Sequence, residues 1–212
     1  MSSAERELTT TSYAVLGLLA VRHWSTYELA KQMRRNLHYF WPRAESNLYA
    51  EPKRLVAAGL AKARSEPVGD RPRTVYSITP RGRRALGRWL AEPAADSRLE
   101  SEALVKLAFA GSGSKHDLLE TLRRYREVAE TRREELQEIF HEYLRGADPF
   151  PERVHINVVA YRLLWDTTQT EAHWATWAID QVDCWPDDLN SPPDRQAALH
   201  VLSDALAGDT EG

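Results

Sequence analysis

The chain has 212 residues, of which 42% are hydrophobic and 28% charged, with a formal net charge of −3 at pH 7; this is the composition of a folded globular protein. The longest apolar run, AVLGLLAV, is too short for the roughly 18 to 20 residues that cross a bilayer, and the start MSSAERELTT does not resemble a secretory signal. The short apolar run predicts no membrane contact. There is a single cysteine, Cys184, which fits a protein of the reducing cytoplasm.

Two helices are predicted first. SYAVLGLLAV predicts a buried helix because apolar residues occupy nearly every side of it. Ser12 is a plausible N-cap of this helix. Ser25 and Glu28 have the spacing of a capping box that begins a second helix. Glu45–Leu60, ESNLYAEPKRLVAAGL, has helical apolar spacing but contains Pro52, which lacks the N–H of a regular helix.

Two interpretations of Pro52 stay open at this point. In the first, Pro52 kinks or restarts the third helix and so fixes the direction of the cations that follow it. In the second, Pro52 divides the segment into two turns and has no bearing on function.

A hairpin and a fourth helix complete the first half. AKARSEPV and RTVYSI favour extended structure, and GDRP between them is a turn signal. Thr79 followed by Pro80 predicts the start of a helix, TPRGRRALGRWL, with Thr79 as its cap and Pro80 at its first position. The order helix, helix, helix, hairpin, helix predicts a winged helix-turn-helix domain over residues 1–91.

The second half reads as helical throughout. After a linker at 92–97, residues 98–212 form a predicted all-α dimerisation domain. In its first long helix, apolar residues step by threes and fours from Leu118 to Tyr143, with a polar interruption at Arg132. Four helices are predicted, over 97–110, 114–146, 151–186 and 191–208.

The charges separate along the same boundary. Residues 1–91 hold 16 Lys and Arg against 7 Asp and Glu, a net of +9, and residues 92–212 hold 12 against 24, a net of −12. This asymmetry predicts that the first domain alone binds a polyanion, with double-stranded DNA as the leading candidate. A chance distribution of solvated charges is the alternative.

The third helix of such a module lies in the DNA major groove. An arginine near the tip of a wing can reach phosphates or the minor groove. The predicted DNA-binding residues of these two segments are Arg43, Ser46, Asn47, Tyr49, Lys53, Arg54, Arg64, Arg71 and Arg73.

The same stretches resemble the PadR-type transcriptional regulators, whose winged helix carries the pattern LY…L..L...GL followed by a wing and a Y.(I/L)T..G...L helix. The first pattern is matched by Leu48, Tyr49, Leu55, Gly59 and Leu60. The second is matched by Arg73, Tyr76, Ile78, Thr79 and Gly82. TYEL at 26–29 matches the start of the family's second helix and adds Thr26 and Tyr27 to the DNA-binding set, while Ala50 stands where the family commonly has proline.

The resemblance implies a homodimer, usually a repressor, that a small molecule or another signal releases from its operator. The acidic half resembles the family's dimerisation region in architecture. An apolar seam on a long helix must be buried, either against the second long helix or across the two-fold axis of a dimer. A dimer would read a near-palindromic operator. A winged helix that binds a protein partner instead of DNA is the rival interpretation.

Aromatic residues are dense in the second half. They predict either an effector pocket for a small hydrophobic or aromatic molecule, or ordinary core and interface packing. The candidate effector residues are Trp89, Tyr161, Trp165, Trp174 and Trp177. The seven histidines lack metal-ligand spacing, and no catalytic motif or cofactor fingerprint is present, so neither an enzyme nor a metal protein is expected.

Overall fold

The computed structural model describes residues 8–37, 39, 41, 45–68, 71–191 and 195–208. The chain divides into two compact units, Met1–Ser97 and Arg98–Gly212. The first is a winged helix and the second is helical, so the predicted fold class is confirmed. In chain order the elements are α1 (Thr10–Val21), β1 (Trp24–Ser25), α2 (Thr26–Gln32), α3 (Glu45–Ala57), β2 (Ala61–Val68), β3 (Arg71–Ile78), α4 (Pro80–Leu90), α5 (Glu102–Ala108), α6 (Lys115–Leu144), α7 (Val154–Asp183) and α8 (Arg195–Gly208).

The first helix forms the centre of the first unit. Leu16 and Leu19 of α1 are almost fully buried. The cap of α1 is Thr9 rather than Ser12: the Thr9 side chain accepts a hydrogen bond from the Ser12 N–H, and the Ser12 hydroxyl accepts one from the Thr9 N–H. The prediction of Ser12 as cap was wrong because the helix begins at Thr10, which places Ser12 at the third helical position.

The sheet has three antiparallel strands in the order β1-β3-β2. The predicted hairpin supplies β2 and β3, and the sequence analysis did not predict β1. In the hairpin register, Glu66 lies opposite Arg73. On the other side of β3, Trp24 lies opposite Tyr76, so β3 is the central strand.

A tight junction fixes the hairpin to α4. Gly59 has a positive φ of 70°, a conformation that glycine adopts without strain. The Thr79 hydroxyl lies 2.9 and 3.1 Å from the carbonyl oxygens of Gly59 and Leu60 and accepts a hydrogen bond from the Gly82 N–H at 3.0 Å. A Cβ on Gly82 would lie 2.1 Å from the Leu60 oxygen, so this position excludes every larger residue.

The second unit is built on the long hairpin of α6 and α7, each of 30 residues. Near the start of α6, Leu118, Leu119 and Leu122 pack with Ala178 and Val182 near the end of α7, so the helices are antiparallel. The apolar periodicity predicted for α6 is thus the face that packs on α7.

The polar interruption in that periodicity has a partner across the hairpin. Arg132 Nη1 lies 2.8 Å from Glu171 Oε2, and both side chains are partly buried. Burial and the nearby Glu171 carboxylate raise the pKa of Tyr125. Because an ion pair has a defined geometry, this pair favours one register of α6 on α7.

The start of α5 differs from the predicted helix over 97–110. The helix begins at Glu102, with the Ser101 hydroxyl accepting a hydrogen bond from the Leu104 N–H. The preceding residues 98–100 are not helical, because the Ser101 cap ends the helical run there. Among the described residues, no helix is both long and apolar enough to span a membrane.

Candidate nucleic-acid interface

The third helix has a buried side and a solvent side. Glu51, Pro52 and Leu55 are buried, and α3 packs against α1, α2 and β2. Lys53 and Arg54 are exposed. The helical period therefore directs the two predicted cations away from the core, where they are accessible to a ligand.

The helix runs without a break from Glu45 to Ala57 through Pro52. A restart at Pro52 is therefore wrong, and so is a division into two turns. A proline at this position cannot donate a hydrogen bond to the carbonyl of Leu48, but its ring is fully buried, and burial of apolar surface offsets part of that loss. A bend at Pro52 stays a prediction.

For some of the predicted DNA-binding residues in and before α3, the structure does not describe the side chain. Arg43 lies outside the described residues. The backbone of Ser46 and Asn47 belongs to the first turn of α3, and their DNA contacts stay predictions. Tyr49, one turn further on, is 42% exposed.

The start of α2 exposes a tyrosine beside a capping box. Tyr27 is 67% exposed, and Thr26 before it is partly buried. The Ser25 N–H donates to Glu28 Oε2 at 2.8 Å and the Glu28 N–H donates to Ser25 Oγ at 3.2 Å. Hydrogen bonds to the Glu28 carboxylate from the Ser25 backbone N–H and the Ser25 side chain and, more weakly, the nearby Arg73 and Arg22 guanidinium groups lower the pKa of Glu28.

The wing arginines differ in their surroundings. Arg64 is exposed on β2, and Arg71 is the first residue of β3, with only its backbone described. Arg73 lies between two carboxylates: Nη2 is 3.4 Å from Glu66 Oε2 and Nη1 is 3.9 Å from Glu28 Oε1. A DNA phosphate would compete with these two acids for Arg73.

The sequence analysis missed the acids beside Arg73. Yet pairing of Val68 with Arg71 is enough to place Glu66 opposite Arg73 in an antiparallel hairpin. That spacing was the signal that could have found the pair. It also shows that a count of arginines overstates the cations that a wing offers to DNA.

The predicted effector residues fall in both units. In the first unit, Trp89 stacks on Tyr13 with ring centroids 4.7 Å apart. In the second, Trp165 and Tyr161 both contact Phe140, at 5.3 and 6.1 Å between centroids. Such contacts are typical of packed aromatic clusters.

The remaining two tryptophans lie further along α7. Trp174 meets Tyr125 edge-on at 5.4 Å, and Trp177 is 42% exposed. An open cleft of about 350 Å³ also occurs in the second unit, between the end of α5 and the start of α6. Its lining includes Phe109 and none of the predicted effector residues.

The titratable side chains that the structure describes do not form a metal centre. Among the residues that the structure describes, no three His, Cys, Asp or Glu side chains group in a way that could hold a metal ion. Cys184 is exposed and carries a free thiol.

The β-hairpin, the helix before it and the Thr79–Gly82 junction define a winged-helix protein, and comparison with known proteins identifies its family. The model "Transcriptional regulator PadR-like family" matches residues 15–88, and "Virulence activator alpha C-term" matches residues 100–183. Over residues 15–88 the chain belongs to the PadR-like family of transcriptional regulators. These are not enzymes, in agreement with the lack of a predicted catalytic motif.

Individual relatives are distant in sequence, and the similarity covers most of one relative and under half of another. The chain is 23% identical to the negative transcriptional regulator PadR of Bacillus subtilis over 172 residues, which covers 78% of this chain and 91% of that protein. It is 32% identical over 87 residues to the probable transcriptional regulator Rv1176c of Mycobacterium tuberculosis, covering 41% and 46% of the two chains.

Solved structures share the fold. Bacillus subtilis PadR in complex with operator DNA matches with a TM-score of 0.68 and 19% identity, covering 82% of this chain and 99% of that one. The Vibrio cholerae virulence activator AphA matches with a TM-score of 0.63 and 24% identity, covering 82% and 98%.

Proposed function

We propose that the first unit binds double-stranded DNA, with α3 in the major groove and the hairpin on the flanking backbone. The observation that carries the proposal is the exposure of Lys53 and Arg54 on the solvent side of α3, in a unit whose residues 1–97 hold 16 Lys and Arg against 9 Asp and Glu, a net charge of +7. Arg64 on β2 extends the exposed cations into the wing. Bacillus subtilis PadR, which has this fold, was solved in complex with operator DNA, and this supports DNA as the ligand.

The second unit would pair two copies of the chain. Ile156, Val159 and Leu163 of α7 are 49%, 72% and 70% exposed. Their spacing puts them on one stripe, on the opposite side of α7 from the buried Tyr161. Because an exposed apolar stripe of this kind marks an interaction surface, we assign it to a homodimer that reads an inverted-repeat operator, with recognition helices about one DNA turn, roughly 34 Å, apart.

The dimer can be tested by sedimentation equilibrium. A carboxylate in an apolar interface loses its water without gaining a partner, so Leu163→Glu should give a monomer at concentrations at which the parent chain is a dimer. Gln137→Glu, which adds the same charge at an exposed position of α6, should leave the dimer intact. A monomeric parent chain, or a dimer that survives Leu163→Glu, would refute this assignment.

Regulation would be repression in the cytoplasm, relieved by a small aromatic effector. The negative regulator from Bacillus subtilis has been solved with p-coumaric acid, and the aromatic residues Tyr161, Trp165, Trp174 and Trp177 supply rings that such a ligand could contact. Quenching of tryptophan fluorescence by p-coumaric acid, matched by release of DNA, is the expected result. Binding that Trp165→Phe leaves unchanged would exclude Trp165 from the site.

DNA binding itself is tested by fluorescence anisotropy with duplexes enriched by the protein from a random-sequence library. Reversing both cations, Lys53→Glu with Arg54→Glu, should weaken binding about 100-fold or more and flatten its salt dependence, because phosphate contacts release counterions. Arg123→Glu with Arg124→Glu makes the same charge change on α6 and should have a far smaller effect. Binding that is unaffected by the first pair, or insensitive to salt, would favour the protein-binding alternative.

A further inference from the structure

A carboxylate is buried inside the helix that we propose reads DNA. Glu51 is 7% exposed, whereas acids are rarely buried without partners because removing a charge from water is costly. Pro52 next to it is also buried and Lys53 is exposed. Glu51 therefore belongs to the core side of α3, where an apolar residue would ordinarily be expected.

The two oxygens of this carboxylate have different partners. The Ser12 hydroxyl of α1 donates a hydrogen bond to Oε1, and that hydroxyl accepts one from the Thr9 N–H at 3.0 Å. Oε2 lies 3.7 Å from Nη1 of Arg54. A single side chain thus links α3 to the first turn of α1 and also contacts a cation on the solvent side of α3.

A second polar link reaches the same turn of α1. Trp41, which lies before α3, donates from Nε1 to the Thr11 hydroxyl at 3.0 Å. Thr11 and Ser12 together therefore hold the segment before α3 and the middle of α3. Apolar contacts such as that of Leu55 tolerate small rotations of a helix, whereas buried hydrogen bonds require one geometry.

We infer that Glu51 is a positioning residue for DNA recognition: through Ser12 it sets the rotation of α3 on α1, and through its second oxygen it directs Arg54. This inference rests on the proposed function. A residue in this role should control how well the protein distinguishes one sequence from another. General attraction to DNA should persist, because the cations remain on the surface.

The test measures discrimination, defined as the affinity for a duplex enriched by the parent protein divided by the affinity for a scrambled duplex of equal composition. Measurements are made at a temperature where circular dichroism shows each variant folded. Ser12→Ala and Glu51→Leu should each lower discrimination about tenfold, the effect of one lost buried hydrogen bond. Affinity for the scrambled duplex should change less than about twofold, since phosphate attraction is retained.

Three further variants separate positioning from simple stabilisation. Thr9→Ala removes the α1 cap but keeps the Ser12–Glu51 hydrogen bond, so discrimination should stay at the parent value. Glu51→Gln keeps an oxygen that can accept from Ser12 but not the charge that attracts Arg54, so it should recover part of the discrimination lost in Glu51→Leu. Ser12→Ala combined with Glu51→Leu should cost no more than the larger single change, because both break the same link.

Several outcomes would overturn the inference. If Thr9→Ala lowers discrimination as much as Ser12→Ala, the effect comes from the stability of α1. If melting temperatures fall while discrimination is constant, Glu51 only stabilises the fold. Salt-dependent binding by the parent protein without any enriched sequence would overturn the positioning role but keep DNA binding, and absence of salt-dependent binding would overturn both.

Discussion

The two units of this protein are stabilised in different ways. In the first, a few residues have contacts that no other residue type can make, such as Gly82 against the Leu60 carbonyl. In the second, α6 and α7 pack along 30-residue faces through many interchangeable apolar contacts. Distant relatives should therefore share motifs in the first unit and only an apolar period in the second.

The most damaging change should occur at the junction of the first unit. Gly82→Ala places a Cβ 2.1 Å from the Leu60 oxygen, and because backbone must move we expect a loss of about 4 kcal/mol or more in unfolding free energy, or failure to fold. Urea denaturation followed by circular dichroism measures this loss.

Gly87 provides the matched control in the same helix. A Cβ on Gly87 would meet nothing within 4 Å, so Gly87→Ala should stabilise α4 by about 0.5 to 1 kcal/mol. Equal losses at Gly82 and Gly87 would mean that the junction has no special geometry.

A core truncation in the second unit should have the next largest effect. Leu122 of α6 is fully buried, and Leu122→Ala should cost about 3 kcal/mol because a cavity remains. Val128→Ala on the same helix, at a position that is 42% exposed, should cost less than about 1 kcal/mol. Urea denaturation compares them, and similar losses would contradict the assignment of the buried face.

The sequence predicted what depends on local chemistry and period. The Ser25–Glu28 capping box, the hairpin and the long helices follow from neighbours in the chain. The strand β1 has two residues and so no detectable period. The helix α1 begins about one turn earlier than predicted because Thr9, a residue type that caps helices as serine does, is its cap.

The candidate site was predicted less completely than the fold. Lys53 and Arg54 are exposed on α3, as contact with DNA would require. The burial of Glu51 depends on Ser12, 39 positions away, and a helical period cannot reveal such a pairing. The carboxylates around Arg73 likewise come partly from outside the hairpin, since Glu28 belongs to α2.

The polar pair inside the second unit offers a smaller and more specific comparison. A double-mutant cycle with Arg132→Met and Glu171→Leu should give a coupling of about 1 kcal/mol, discounted because both groups retain some solvent. The exposed pair Arg124 and Glu127 on α6, 3.1 Å apart, should show no measurable coupling. Equal coupling in both cycles would show that the Arg132–Glu171 pair is no stronger than an exposed pair and does not set the register of α6 on α7.

The smallest expected effect concerns Glu28 and its dependence on pH. The hydrogen bonds from Ser25 hold its pKa below the usual 4.5, so the folded state binds this proton more weakly than the unfolded chain does. The stabilisation is then fully present above pH 4.5 and is lost as the pH falls through the lower folded pKa. Because the side chain is 43% exposed, Glu28→Gln should cost only about 0.5 kcal/mol at pH 7.

Thermal melts of the parent and Glu28→Gln proteins between pH 7 and pH 3 measure this difference, which should shrink steadily below about pH 4.5. In a Ser25→Ala background the same substitution should show a somewhat weaker pH dependence, because the side-chain hydrogen bond from Ser25 is absent and the larger effect of the backbone N–H remains. A difference that persists unchanged at pH 3 would show that Glu28 acts through its packing, and the link between α2 and the wing would then owe little to its charge.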